Sequence, residues 1–131
     1  MPKVRMSSWN SIYRGVEINC KDAHIIVSSL PTRSAKLDEI LRIENCGSGW
    51  RLPTEKEAQV IRRLLQPINQ LMRDNGGSEL NRRGTIWLHG NYGVPDKLGD
   101  VQGRIFSLRF GICCWNWWRI DRDFRLVRTV D

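Results

Sequence analysis

The chain predicts an α+β domain in which two helices pack on a small, twisted, mainly antiparallel sheet. Three observations carry that prediction. Trp50-Arg51-Leu52-Pro53-Thr54-Glu55-Lys56-Glu57 writes a helix start. Behind it, Ile61, Leu64, Leu65, Ile68 and Met72 recur at i, i+3, i+4 spacing, which builds one apolar stripe on a helix. On either side of the helical part, runs alternate with the period of two that marks half-buried strands. Helices grouped between strand runs are the α+β pattern.

The elements follow in order. Val16 and Ile18, with Ile12 before them, lead to a turn at Asn19-Cys20-Lys21-Asp22, and Ala23 to Val27 returns, a hairpin over 12–27. Ser28 to Ser34, with Pro31, reads as a loop. Lys36 to Asn45 is a short helix whose apolar face is Leu37, Ile40, Leu41 and Ile43. Gly47-Ser48-Gly49 ends it and turns the chain into an extended segment at Trp50 and Leu52.

Pro53 disfavours a helical conformation at Leu52, so the principal helix starts after it. Thr54 is its N-cap and Glu57 the N3 partner, a capping box in which each side chain satisfies one orphan backbone N–H. Arg62, Arg63, Gln66, Asn69 and Gln70 fall away from the apolar stripe, and Pro67 kinks the rod. Asn75-Gly76-Gly77 stops it near Arg73.

A four-stranded meander is then expected. Its strands are Thr85–His89, Arg104–Phe110, Cys113–Arg119 and Phe124–Val130, with a long loop from Gly90 to Gly103 and a turn at Asp121-Arg122-Asp123. In the second strand Phe106, Leu108 and Phe110 share one face, with Ile105, Ser107 and Arg109 on the other.

Composition sets the bounds. At 131 residues, 40% hydrophobic and 27% charged, the chain is read as a single globular domain, 1–131. No apolar run reaches the ~20 residues that cross a bilayer. The opening Met1 to Ser8 lacks the apolar core of a signal peptide, so a cytoplasmic location away from membranes is expected. Cys20, Cys46, Cys113 and Cys114 show no zinc spacing, and reduced structural thiols are the plain reading. Neither a metal nor another cofactor is expected.

The net charge is +7. Residues 1–50 hold seven basic and five acidic side chains, residues 51–81 five and four, and residues 82–131 nine and five. The excess leans to the C-terminal half, a field that favours acidic partners.

Two motifs together resemble a known family. Gly49-Trp50-Arg51-Leu52-Pro53-Thr54-Glu55-Lys56-Glu57 is similar to the G-W-R-L-P-T-x-x-E start of the second helix in bacterial and phage C-type-lectin-like domains. That group includes the formylglycine-generating, sulfatase-modifying proteins and their non-catalytic relatives. Phe124-Arg125-Leu126-Val127-Arg128 resembles their closing F-R-x-V-R strand, and Ile86-Trp87 and Trp115-Asn116 follow the usual W-S-S, then W-N order. The resemblance covers about 36–130, leaving 1–35 as an N-terminal hairpin and loop. It implies a lectin-like fold with the loop from His89 to Gly103 as a recognition element.

The departures bear on activity. Catalytic members carry two late cysteines a few residues apart, whereas Cys113 and Cys114 are adjacent, which speaks against copper-dependent thiol oxidation. Calcium-binding lectins continue W-N with an aspartate ligand, and here Trp117 follows Asn116.

The functional expectation is therefore a non-enzymatic interaction module that binds a macromolecular partner, a protein, as a phage-encoded inhibitor or adaptor would. Its candidate contacts are Asn91 and Tyr92 of the long loop, with Arg109, Trp115, Trp117 and Arg119 of the last strands. Tryptophans beside arginines are what binding hot spots look like. Against this stands the plainer reading that a small sheet needs bulky filling, with Trp118 in the core.

The alternative partner is nucleic acid, met by Arg82, Arg83, Lys97, Arg104 and Arg122 together with Arg109 and Arg119. An oxidase-like enzyme is the third reading. His24 and His89 are isolated and read as satisfied polar residues rather than catalytic bases.

Overall fold

Two-residue alternation does the first work of folding. The computed structural model describes residues 2–8, 14–30, 33–35, 37–90, 102–117 and 122–130. Strands β1 (Lys3–Ser8), β2 (Arg14–Cys20) and β3 (Ala23–Ser28) form an antiparallel set, with β2 and β3 joined by a tight turn at Lys21-Asp22. Register places Met6 opposite Val16, Val16 opposite Val27, and Ile18 opposite both Val4 and Ile25. One face thus carries the apolar set Val4, Met6, Val16, Ile18, Ile25 and Val27. The other carries Arg5 opposite Glu17, whose carboxylate accepts from Arg5 at 3.2 Å and lies 2.9 Å from the His24 ring.

The hairpin matches the sequence expectation, while β1 was not anticipated. Two further segments depart from it. Arg33–Ala35, at the end of the expected loop, forms a short strand β4. The expected final strand is two strands. β8 (Arg122–Phe124), which includes two residues of the expected turn, pairs with β4, and β9 (Val127–Thr129) pairs with β3.

The main sheet therefore runs β1-β2-β3-β9, closing the C-terminal segment onto the N-terminal hairpin rather than onto a C-terminal meander. β5 (Thr85–Trp87), β6 (Gln102–Ser107) and β7 (Cys113–Trp117) make a separate antiparallel sheet in that order. Among the described residues the β layer is three sheets, not one.

The helices obey local rules closely. α1 spans Leu37–Glu44. The principal helix is interrupted, giving α2 (Glu55–Arg63) and α3 (Leu65–Asp74) around Leu64. Pro67 is the cause: it has no N–H for the Arg63 carbonyl and its ring crowds that turn. Placed at the third position of α3, it sits where an N–H would have no intrahelical partner anyway.

Thr54 caps α2 as expected. Its hydroxyl accepts from Glu57 N–H at 3.2 Å, and Glu57 Oε1 accepts from Thr54 N–H at 3.0 Å. Arg51 closes the cap with paired bonds to Glu57 of 2.6 and 2.8 Å.

That cap gives the fold an acid-sensitive point. Burial pushes the Glu57 carboxyl up, but the Arg51 guanidinium and the Thr54 N–H outweigh it and hold it below the usual 4.5. A carboxyl with a lower pKa in the folded state contributes stability that is complete above its unfolded pKa and is lost as pH falls through the folded one. The urea midpoint should hold down to about pH 5 and then decline. Glu57→Gln should make the acid limb shallower, and Thr54→Ala should cost about 1 kcal/mol at neutral pH. Parallel acid limbs for wild type and Glu57→Gln would contradict this.

Two apolar clusters hold the layers together. In the first, the inner face of the main sheet (Val16, Ile18, Ile25, Val27, Val127) meets Ala58, Ile61, Leu65, Ile68 and Met72 of the helices, with Ile86, Leu88, Phe106 and Leu108. The second joins Ile40 of α1, Leu52, Trp87, Ile105 and Phe124. Alternation along β5 and β6 explains the division, since Ile86 and Phe106 face one cluster and Trp87 and Ile105 the other.

Asn69 departs from expectation. It is buried, not solvent-facing, and clamps Leu80 by donating to its carbonyl at 3.0 Å and accepting from its N–H at 2.8 Å.

The two motif segments touch one another. Arg51 and Val127 exchange backbone hydrogen bonds of 2.9 and 2.7 Å. Arg51 also donates to Thr129 Oγ1 at 2.8 Å, and Arg128 donates to the Ser48 carbonyl.

Candidate functional site

Residues 108–112 join β6 to β7, and local chemistry shapes that connection. The alternation expected to continue to Phe110 stops at Ser107. Gly111 N–H bonds the Ser107 carbonyl at 2.8 Å, and Phe110 N–H bonds Ser107 Oγ at 3.0 Å. Gly111 has a φ of 72°, a left-handed conformation that suits glycine. A Cβ there would also stand 3.0 Å from the Arg62 guanidinium.

The tip is seated on α2. Gln59 donates to the Gly111 carbonyl at 2.9 Å and Arg62 to the Arg109 carbonyl at 3.2 Å. So held, the tip turns large apolar side chains outward. Phe110 is 62% exposed, Ile112 57% and Trp115 52%. Among the described residues only Leu30 joins them as an exposed large hydrophobic. The Arg109 guanidinium lies 4.8 Å from the Phe110 ring centroid, a cation–π arrangement.

Trp115 stands opposite Arg104 in the β6–β7 pair. Arg104 is ion-paired with Glu55 at the start of α2, and the same carboxylate accepts from Cys113 Sγ at 3.0 Å. The Cys113 hydrogen bond and the Arg104 charge hold the Glu55 carboxyl below its usual range. Burial and the adjacent Glu55 charge push the Cys113 thiol up to about 11, so at neutral pH it is protonated and a poor nucleophile. Cys114, next along the strand, is exposed.

Of the six residues expected to form the binding face, Arg109 and Trp115 are both exposed on this hairpin. Trp117 belongs to β7, its backbone opposite Gln102. Asn91, Tyr92 and Arg119 lie outside the described residues, as does Trp118. Of the nucleic-acid set, Arg82 and Arg83 are exposed beside α3, Arg104 is engaged with Glu55, and Arg122 enters β8 opposite Ala35. Lys97 lies outside the described residues.

Sequence reasoning did not single out Phe110 and Ile112. The available signal was the glycine between them, which ends a strand. His24 and His89 each lie beside a carboxylate, Glu17 at 2.9 Å and Glu44 at 3.0 Å. Among the described residues no three His, Cys, Asp or Glu side chains gather as a metal site would require, and no helix is long and apolar enough to cross a membrane.

Comparison of the chain with protein-family models and with curated proteins finds no match to either.

Proposed function

We propose that this protein is a non-enzymatic, C-type-lectin-like interaction module that binds a protein partner through the β6–β7 hairpin. One observation carries the reading. Three large apolar side chains stand more than half exposed within six consecutive residues, Phe110 and Ile112 on a tip braced by Gln59 and Arg62 and Trp115 on β7 beyond it. Burying such side chains is favourable, and a braced hairpin loses little entropy when it docks. Aromatic and arginine side chains together are the commonest hot-spot chemistry.

The lectin-like part of the reading is supported by the contact between the two motif segments. Residues 48–57 and 124–129 pair through Arg51 and Val127, so the motifs are parts of one structural unit. The oxidase-like alternative is disfavoured by Cys113, whose thiol is held protonated beside Glu55.

A photoreactive phenylalanine analogue placed at position 110 or 115 tests the docking surface in bacterial lysate. Both positions should give the same cross-linked protein, identified by mass spectrometry. The exposed Gln70 position on α3 should give none. A product from position 70 with nothing from the hairpin would refute the assignment.

A further inference from the structure

Six arginines converge on one side of the molecule. Two open clefts, of about 630 and 550 Å³, meet along α3 and share Gln66, Arg82 and Arg83 in their walls. The first also takes Arg73, and the second takes Arg62, Arg63 and Arg109. Among the lining residues Glu79 is the only acid, and Arg73 approaches it at 3.4 Å. Arg63 has only a long approach to Asp22, 3.9 Å. The side chains of Arg82 and Arg83 make no hydrogen bond or ion pair with any described residue.

The wall that carries these two arginines is held from behind. Buried Arg125 donates to the carbonyls of Ser78 at 2.7 Å and Glu79 at 3.2 Å, and Asn69 holds Leu80 by its double bond. Arg82 and Arg83 therefore project from a braced segment, and less ordering is needed when a ligand arrives.

We infer that these joined clefts bind the phosphate backbone of a single-stranded nucleic acid. Charge complementarity points to a polyanion, since uncompensated positive charge lines both clefts. Arginine is the side chain whose planar fork suits phosphate, and all six cations are arginines. The lining offers polar Gln66 and Asn81 but no exposed apolar anchor of the kind a protein partner needs. At the rim, Arg109 lies against the exposed Phe110 ring, an aromatic face on which an unpaired base can stack. The clefts share Arg62, Arg109 and the neighbouring Phe110 with the hairpin's docking surface, but the inference rests on the arginine lining and does not require a protein to dock there.

The test is fluorescence anisotropy with a labelled mixed-sequence single strand of about 15 nucleotides. If about four phosphates are neutralised, log affinity should fall with log salt at a slope near −3, about a 50-fold loss between 50 and 200 mM. The double variant Arg82→Ala/Arg83→Ala should bind at least about 10-fold more weakly at low salt, with the slope reduced to about −1.4. A charge-matched control, Lys21→Ala/Lys56→Ala, removes two exposed cations outside the clefts and should leave affinity within about twofold. Circular dichroism confirms that each variant is folded. Equal losses in the cleft variant and the control would overturn the inference. So would tighter binding of a duplex of the same sequence, or equally tight binding of polyglutamate, which would assign the clefts to an acidic protein.

Discussion

Arg125→Met should destabilise the protein by about 3 kcal/mol and loosen the segment 78–80. Arg125 is only 2% exposed and lies in the F-R-x-V-R motif between β8 and β9. Its guanidinium donates to the carbonyls of Ser28, Ser78 and Glu79 at 2.7, 2.7 and 3.2 Å. Removing it leaves the buried Ser28 carbonyl and the partly buried Ser78 and Glu79 carbonyls without that donor; a buried unsatisfied group costs about 1–3 kcal/mol and a partly buried one less. Relief of the desolvated charge offsets part of the sum, which places the expectation near the lower end.

Arg125→Lys retains the charge but not the fork that reaches several carbonyls at once, so about half the loss should remain. Urea denaturation gives the free energy. Hydrogen exchange should show faster amides at 78–80 under conditions where the variant is still folded. A loss under about 1 kcal/mol with unchanged exchange would show that the guanidinium is not the clasp.

Trp87→Ala should cost about 3–5 kcal/mol, the range for removing a large aromatic from a core. Trp87 is fully buried in the cluster with Ile40, Leu52, Ile105 and Phe124. That cluster joins α1, the segment entering α2, the β5–β6 pair and β8, elements far apart in the chain. Small domains have only about 5–15 kcal/mol in total, so this variant should be partly unfolded at physiological temperature. Trp87→Phe fills most of the space and should lose a minor part of that amount. Thermal and urea unfolding of the three proteins decide it, and a Trp87→Ala loss within about 1 kcal/mol of wild type would mean that the second cluster does not hold these elements together.

What could be read in the sequence was what local chemistry decides. The Thr54–Glu57 capping box, the tight turn at Lys21-Asp22 and the Pro67 break each depend on residues within a few positions of one another, and each forms. The unread features depend on distant partners. Phe124 to Arg128 alternates as one strand would, and nothing local announces that Arg125 will find carbonyls near residues 28 and 78. Asn69 sits on the polar side of a helical wheel, yet Leu80 gives it both a donor and an acceptor, so it is buried at little cost. β1 was legible in principle, since Val4 and Met6 alternate with Lys3 and Arg5, but a short basic alternation is a weak strand signal.

The candidate surfaces divide in the same way. Trp115 and Arg109 could be picked out by residue type as candidate contacts, although Arg109 falls in the connection after β6 rather than on a strand. The outward turn of Phe110 and Ile112 required the early end of β6 and the support of Gln59 and Arg62. The arginine clefts required the fold, because Arg62 and Arg63 read as the solvent face of a helix until the 79–83 segment is laid beside them.

Calorimetric titration of the cross-linked protein, once purified, compares three forms of this chain most directly: wild type, Phe110→Ala/Trp115→Ala, and Arg82→Ala/Arg83→Ala. Docking through the hairpin predicts a loss of about 100-fold or more for the first variant, as two hot-spot side chains would give, and a far smaller change for the second. Wild-type affinity in the folded Phe110→Ala/Trp115→Ala protein would contradict it.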